Sequence, residues 1–229
     1  NPFGVLYNPS SVIRALRAMQ ENKSYSKEDI FEYKGLYGSF DFHSSFSGRE
    51  AEKVLEGIQT ACSTSSSAFR SSTCLILSFG TAWVYELASN GLVVSNCHKL
   101  PASFFDRRRL SVGEMLEQTA GFFEELFRTR PKLKVLLTVS PIRHFKDGAH
   151  ENTLSKAGLH LLVDELCSRF EQMVYFPAYE LLMDDLRDYR FYEQDMLHPS
   201  AMAFQYIWER FGEFAFEKYT LEIIRQLEQ

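Results

Sequence analysis

The spacing of apolar residues predicts an alternation of helices and short buried strands. Continuous apolar runs at 73–79, 133–139 and 173–176 have the length and composition of strands that are buried on both faces. Around them, apolar residues recur every three or four positions, which predicts helices at about 10–19, 49–66, 112–129, 154–170, 178–187 and 199–226. Continuous strands separated by helices favour a mostly parallel sheet that is covered on both faces, an α/β fold.

Capping and turn residues set the expected ends of these elements. Ser10 or Ser11 is expected to cap the first helix, and the capping-box-like 26–29 predicts a second helical start. Residues 34–47, rich in Gly, Ser and aromatic side chains, are predicted to be a loop. Asn90-Gly91 predicts a hairpin between two short strands. Three parallel strands are few for such a sheet, so one or two more are expected before residue 1.

Composition narrows the functional classes. A chain of 229 residues with 45% hydrophobic content is expected to form one domain, 1–229. The net charge is −5, and the one basic cluster, Arg107 to Arg109, is predicted to be a loop or a helix-leading set of salt bridges. Three arginines are too few for a nucleic-acid footprint, so no nucleic-acid partner is expected. No apolar run approaches the length of a membrane span, so no transmembrane segment is predicted.

Cysteine usage favours free thiols. The four cysteines are widely spaced and form neither a C-x-x-C pair nor a zinc pattern: Cys62, Cys74, Cys97 and Cys167. This favours a reducing compartment such as the cytoplasm, although two disulfides fit the sequence as well. Because residue 1 is not Met, a signal peptide stays an open alternative.

The strongest chemical signal is Asp195-Met-Leu-His198-Pro199. An aspartate three residues before a histidine can orient the imidazole and stabilise its protonated form, as in a serine-hydrolase relay. Pro199 is predicted to begin the last helix, and the positive end of that helix would disfavour the imidazolium. Ser140 ends a strand but is followed by proline, and no G-x-S-x-G elbow exists, so a nucleophile is not evident.

Eight stretches, in order along nearly the whole chain, resemble the GSCFA family, a branch of the SGNH/GDSL hydrolases. They are Asn1-Pro-Phe-Gly4, Phe42-His-Ser-Ser-Phe46, Ser78-Phe-Gly-Thr-Ala-Trp-Val-Tyr85, Ser95-Asn-Cys-His-Lys99, Thr138-Val-Ser-Pro-Ile-Arg-His144, Tyr175-Phe-Pro-Ala-Tyr-Glu180, Asp188-Tyr-Arg-Phe-Tyr192 and Asp195-Met-Leu-His-Pro199. The resemblance implies a three-layer α/β/α sheet and an SGNH-type hydrolase that cleaves an ester or acyl group without a cofactor. The Gly-Ser-Cys-Phe-Ala motif that would carry the nucleophile is absent from the sequence, so the serine is expected upstream of residue 1.

The resemblance also suggests substrate-binding and oxyanion residues. Gly80 occupies the position where SGNH relatives have Gly-x-Asn, without the asparagine, and Asn96 is a candidate for the missing donor. His43 and Ser44 are candidates to reach the cleft from their loop, and Arg143 is a candidate contact for an anionic substrate group. The substrate class is a small-molecule, carbohydrate or lipid ester. The acyl group and the oligomeric state are not predicted.

Two other functions fit the residues. A non-catalytic ligand-binding module would keep the scaffold without a nucleophile. A metal-dependent hydrolase would use His144, Asp147 and His150, together with Asp195 and His198, as ligands. The adjacent Arg143 would repel a cation, so a metal-free site is the first expectation.

Overall fold

The computed structural model describes residues 1–227, which fold into helices and strands that alternate along the chain. The strands are β1 (Phe31–Tyr33), β2 (Leu36–Gly38), β3 (Cys74–Phe79), β4 (Trp83–Leu87), β5 (Val93–Val94), β6 (Phe105–Arg109), β7 (Lys134–Val139) and β8 (Met173–Tyr175). The helices are α1 (Pro9–Glu21), α2 (Ala51–Ser71), α3 (Val112–Thr129), α4 (Gly148–Arg169), α5 (Ala178–Glu180), α6 (Ala201–Ala215) and α7 (Lys218–Leu227).

The predicted parallel sheet is confirmed, with strand order β3-β7-β8. Because the order advances in one direction, right-handed crossovers place α3 and α4 on the same face, where α1 and α2 extend the layer. On the other face, Ile207 and Phe211 of α6 pack over Leu136 and Phe176. The result is a three-layer α/β/α fold, as the sequence indicates.

A second, antiparallel sheet has the order β5-β4-β6. The Asn90-Gly91 hairpin between β4 and β5 is confirmed, but the expectation that Arg107 to Arg109 form a loop or lead a helix is wrong. They form most of β6, because pairing with β4 supplies its backbone hydrogen bonds. The polar sequence of this segment gives no sign of that strand. The predicted salt bridges exist: Arg107 pairs with Asp147, and Arg108 lies 2.9 Å from Glu86.

Several predicted element ends needed correction. Asn8, rather than Ser10 or Ser11, caps α1 by accepting the Ser11 N–H at 2.8 Å. The Ser26 capping box forms but caps a single 3-10 turn. The segment predicted as a loop at 34–47 contains β2, which pairs with β1 across Lys34-Gly35, both at positive φ. The predicted helix at 154–170 begins earlier, at Gly148.

The predicted C-terminal helix at 199–226 is two helices. Ser200 caps α6 by accepting the Ala203 N–H, so Pro199 lies before the cap and not in the first helical turn. The helix ends at Ala215, and α7 follows from Lys218. The apolar pattern continues across the break between Ala215 and Lys218, so the pattern alone does not reveal that the helix ends there.

The four cysteines are free thiols, as their spacing indicates. Within residues 1–227 no helix is long and apolar enough to cross a membrane.

Candidate active site

Asp195 and His198 are joined by a short hydrogen bond. The His198 Nδ1 and Asp195 Oδ2 atoms are 2.5 Å apart, and Asp195 Oδ1 accepts the N–H groups of Leu197 and His198 at 2.8 and 3.0 Å. Oδ1 of the carboxylate therefore stabilises the loop, and Oδ2 orients the imidazole. About half of each side chain is exposed, so the ring is open to a ligand.

The loop that carries the pair is closed by backbone hydrogen bonds rather than by a helix. The Glu193 N–H donates to the His198 carbonyl at 2.8 Å, and the Ser200 N–H donates to the Phe191 carbonyl at 2.8 Å. Because Ser200 is the cap of α6, His198 lies outside that helix. The predicted effect of a helix terminus on the imidazolium is therefore wrong, and the carboxylate is the nearest electrostatic influence on the ring.

Protonation of the pair follows from these contacts. The backbone N–H groups of His198 and Leu197, followed by the imidazole, hold the pKa of Asp195 down at about 2. A carboxylate is only an acceptor, so His198 Nδ1 must carry a proton in this bond. In a neutral ring this leaves a lone pair on Nε2, the arrangement required of a general base.

Arg143, which follows β7, lies against this loop. Its Nη2 donates to the Tyr192 hydroxyl at 2.8 Å, and its guanidinium stacks on the Tyr192 ring 4.3 Å from the centroid. Its backbone N–H and its Nη1 lie 3.5 Å from the carbonyls of Leu197 and Met196. The end of β7 and the Asp195–His198 loop therefore meet at the carboxyl edge of the sheet, as predicted.

Gly80 directly follows β3 at the same edge, and both of its backbone polar groups are engaged. Its N–H donates to the Tyr7 carbonyl at 2.7 Å, and its carbonyl accepts from Lys156 at 2.6 Å. An oxyanion would have to compete with Tyr7 for that N–H. A side chain at Gly80 would meet the Tyr7 carbonyl at 3.3 Å, so glycine permits the close approach.

Helix α4 contributes a buried polar row that the sequence reasoning missed. Lys156, 2% exposed, donates to the Gly80 and Ser140 carbonyls, each at 2.6 Å, and so joins the ends of β3 and β7. Burial lowers the pKa of Lys156 to about 7. Ser155 accepts the Ala82 N–H at 2.8 Å, and Asn152 accepts the His144 N–H at 2.9 Å.

The sequence does carry a signal for this row. The buried positions of α4 lie on one face of the helix, and the first of them are polar while the later ones are not: Asn152, Ser155, Lys156, Gly158, Leu159, Leu162, Val163 and Leu166. Polar residues in register with a buried stripe indicate a buried hydrogen-bonded cluster.

The other predicted contacts lie in separate loops. His43 accepts the Ser45 N–H and so caps the 3-10 turn that begins at Ser44. Asn96 accepts the His98 N–H at 2.7 Å within its own loop. In the described part of the chain, none of the His43, Ser44 and Asn96 side chains is hydrogen-bonded to the Asp195–His198 pair. Their roles toward substrate stay predictions.

The alternative metal ligands do not converge. Asp147 is paired with Arg107, and His150 lies exposed in the first turn of α4. Among residues 1–227, no group of three or more His, Cys, Asp or Glu side chains has the arrangement of a metal site.

An apolar groove of about 990 Å³ runs along the outer edge of β3, between that strand, α1, α2 and residues 1–7. Thr73 and Phe79 accept hydrogen bonds from the β7 side, so the alternate backbone groups of Cys74, Ile76 and Ser78 point away from β7. Of these residues, Ile76 and Ser78 line the groove. In the described part of the chain, β7 is the one strand paired with β3. The groove therefore presents an unpaired strand edge that leads to Gly80.

Comparison with protein families gives a match to the GSCFA family over residues 1–211. The chain belongs to the GSCFA family. No curated protein and no solved structure matches it. In this GSCFA chain, most of the stretches that resemble the family gather at the carboxyl edge of the sheet, at the ends of β3, β7 and β8 and in the loop that ends at Pro199. The resemblance is therefore concentrated where the open imidazole lies.

Proposed function

We propose that this GSCFA protein is an SGNH/GDSL-type serine hydrolase that cleaves an ester or acyl group, with the nucleophilic serine upstream of residue 1. The observation that carries the proposal is the 2.5 Å Asp195–His198 contact, which orients an open imidazole at the carboxyl edge of a parallel sheet. Family membership supports the scaffold, and the site supplies the argument for chemistry.

The residues present would serve both halves of an acyl transfer. His198 Nε2 takes the serine proton as Oγ attacks the acyl carbon, and the resulting imidazolium is stabilised by Asp195. The imidazolium then protonates the departing alkoxide, which leaves an acyl-enzyme. Water repeats the sequence: His198 removes its proton, and the serine oxygen recovers it when the acid is released.

The groove beside β3 supports the expected position of the serine. An extended segment paired in parallel with β3 would satisfy the Ile76 and Ser78 backbone groups and bury the apolar walls. Its last residue would emerge beside Gly80, at the edge where His198 lies. An apolar groove also suits a non-catalytic binding module, which is the second candidate function.

A fluorophosphonate separates the two candidates. The full-length protein is expected to react at one serine, mapped by mass spectrometry to a position before residue 1, and to hydrolyse short-chain p-nitrophenyl esters. His198→Ala and Asp195→Asn are expected to lower kcat by roughly 10²–10⁴-fold, since each removes part of the relay.

The matched control is Asp188→Asn, which alters another exposed aspartate that caps a neighbouring turn. It is expected to keep both activities. Hydrolysis that persists unchanged in His198→Ala would rule out the relay, and an unlabelled, inactive full-length protein would favour the binding module.

A further inference from the structure

Two backbone donors at the end of β3 are already engaged. The Gly80 N–H donates to the Tyr7 carbonyl at 2.7 Å, and the Thr81 N–H donates to the same oxygen at 3.0 Å. The Asn96 side chain is held in its own loop, because its Oδ1 accepts the His98 N–H at 2.7 Å. A hydrolase site at this edge needs a preorganised donor for the developing negative charge, so another group should supply it.

His144 occupies the space between these elements. It follows Arg143, whose backbone reaches the Asp195–His198 loop, and its Nε2 lies 3.7 Å from the point where a Cβ on Gly80 would be. The Tyr7 ring packs edge-on against it with centroids 6.0 Å apart. Its backbone N–H is fixed by Asn152 of α4, so a rigid helix sets the position of the ring.

The surroundings keep this ring neutral. Burial, and then the charges of Lys156, His198 and Arg107, lower the pKa of His144 below its ordinary value of 6.5. A neutral imidazole has one N–H and one lone pair. Within residues 1–227 neither ring nitrogen of His144 has a hydrogen-bond partner, although the ring is only partly exposed.

We propose that His144 is a second catalytic imidazole, which donates a ring N–H to the acyl oxygen of the ester opposite His198. The two rings would have different roles. His198 is oriented by a carboxylate and moves protons, whereas His144, which has no acidic partner within residues 1–227, only donates a hydrogen bond. A neutral imidazole is suited to this task because it polarises a carbonyl without an ionic partner. The proposal rests on the proposed hydrolase function.

Full-length His144→Ala, His144→Gln and Phe145→Ala proteins test this on p-nitrophenyl butyrate, with the fluorophosphonate labelling rate as a second readout. His144→Ala is expected to lower kcat by roughly 10²–10³-fold with little change in KM, the signature of a lost oxyanion donor. His144→Gln should recover about tenfold of that loss, because its amide nitrogen reaches the position of Nε2. Phe145→Ala, the exposed neighbour, should match the wild type.

The outcomes are distinguishable. If the wild type is active and labelled, but a folded His144→Ala protein has a kcat within about threefold of it, this proposal alone is overturned. A His144→Gln protein that is folded but no better than His144→Ala also overturns it, since a donor at that position would then be irrelevant. A wild type that neither hydrolyses the ester nor reacts with the fluorophosphonate removes the hydrolase proposal, and this one with it.

Discussion

At the residue scale, two groups of the site differ in how their surroundings treat a charge: Asp195 and Lys156. Asp195 is held ionised by backbone N–H groups, whereas Lys156 lies buried with carbonyl oxygens as its acceptors. A buried ammonium without a carboxylate costs free energy, which is why burial lowers the pKa of Lys156 to about 7. The buried polar side chains of α4 therefore hold the carboxyl edge of the sheet rigid, at some cost in the free energy of unfolding.

Lys156 makes stability depend on pH in a defined direction. The unfolded chain binds the Lys156 proton up to about pH 10.5, and the folded protein releases it near pH 7, so the unfolding free energy should rise with pH across this window. Lys156→Met should flatten that rise by an amount on the order of a few kcal/mol. Urea titrations from pH 7 to 10 measure it.

The matched control is Lys132→Met, which alters an exposed lysine and should keep the wild-type slope. Identical slopes in wild type and Lys156→Met would show that the buried ammonium does not titrate in this range.

At the element scale, the segment before α1 is locked against the loop before α2. The His43 N–H donates to the Phe3 carbonyl at 2.8 Å, and Phe3 stacks on Phe42 with ring centroids 4.2 Å apart. Gly4 has φ +90, and a Cβ there would lie 2.1 Å from the His43 Cβ. This contact positions the residues that line one end of the groove.

Gly4→Ala should therefore be strongly destabilising. Backbone strain at positive φ costs about 1–2 kcal/mol, and the overlap with His43 should bring the total to about 3 kcal/mol or more. Gly35→Ala is the matched comparison, because Gly35 has φ +75 but no atom within 4 Å of its Cβ position. Equal losses in the two variants, measured by urea unfolding, would refute the close contact.

At the scale of the whole molecule, the outer edge of β3 is open in the part of the chain that the structure describes. The antiparallel β5-β4-β6 sheet and α4 surround the carboxyl ends, whereas the outer edge of β3 faces the groove with Ile76 61% exposed. Open strand edges are normally paired or blocked, because their backbone groups attract other strands. The groove is therefore the surface on which the proposed upstream segment would dock.

Hydrogen exchange on the full-length protein tests that docking. If an extended segment pairs with β3, the amides of Cys74, Ile76 and Ser78 should be as protected as those of Leu75 and Leu77, which face β7. The alternating residues are their own control. Fast exchange confined to the three amides that point away from β7 would show that the edge stays unpaired.

The sequence by itself determined the three parallel strands, the main helices and the Asp195–His198 pair. These features are local, because they depend on apolar periodicity and on two residues three positions apart. The arginine strand β6 escaped prediction, since its partner β4 lies in a separate part of the sequence. The β1–β2 hairpin is local, but each of its strands has only three residues, which is too short for a clear alternating pattern.

Only the tertiary structure decided which side chains meet. It placed His144 beside Gly80, buried Lys156 under two strand ends, and left His43 and Asn96 stabilising their own loops. Each outcome depends on how the ends of separate strands come together. Sequence spacing does not predict this, because the side chains of loop residues have no regular direction. The Asp195–His198 pair could be predicted from the sequence, whereas its surroundings depend on how α4 packs against the sheet.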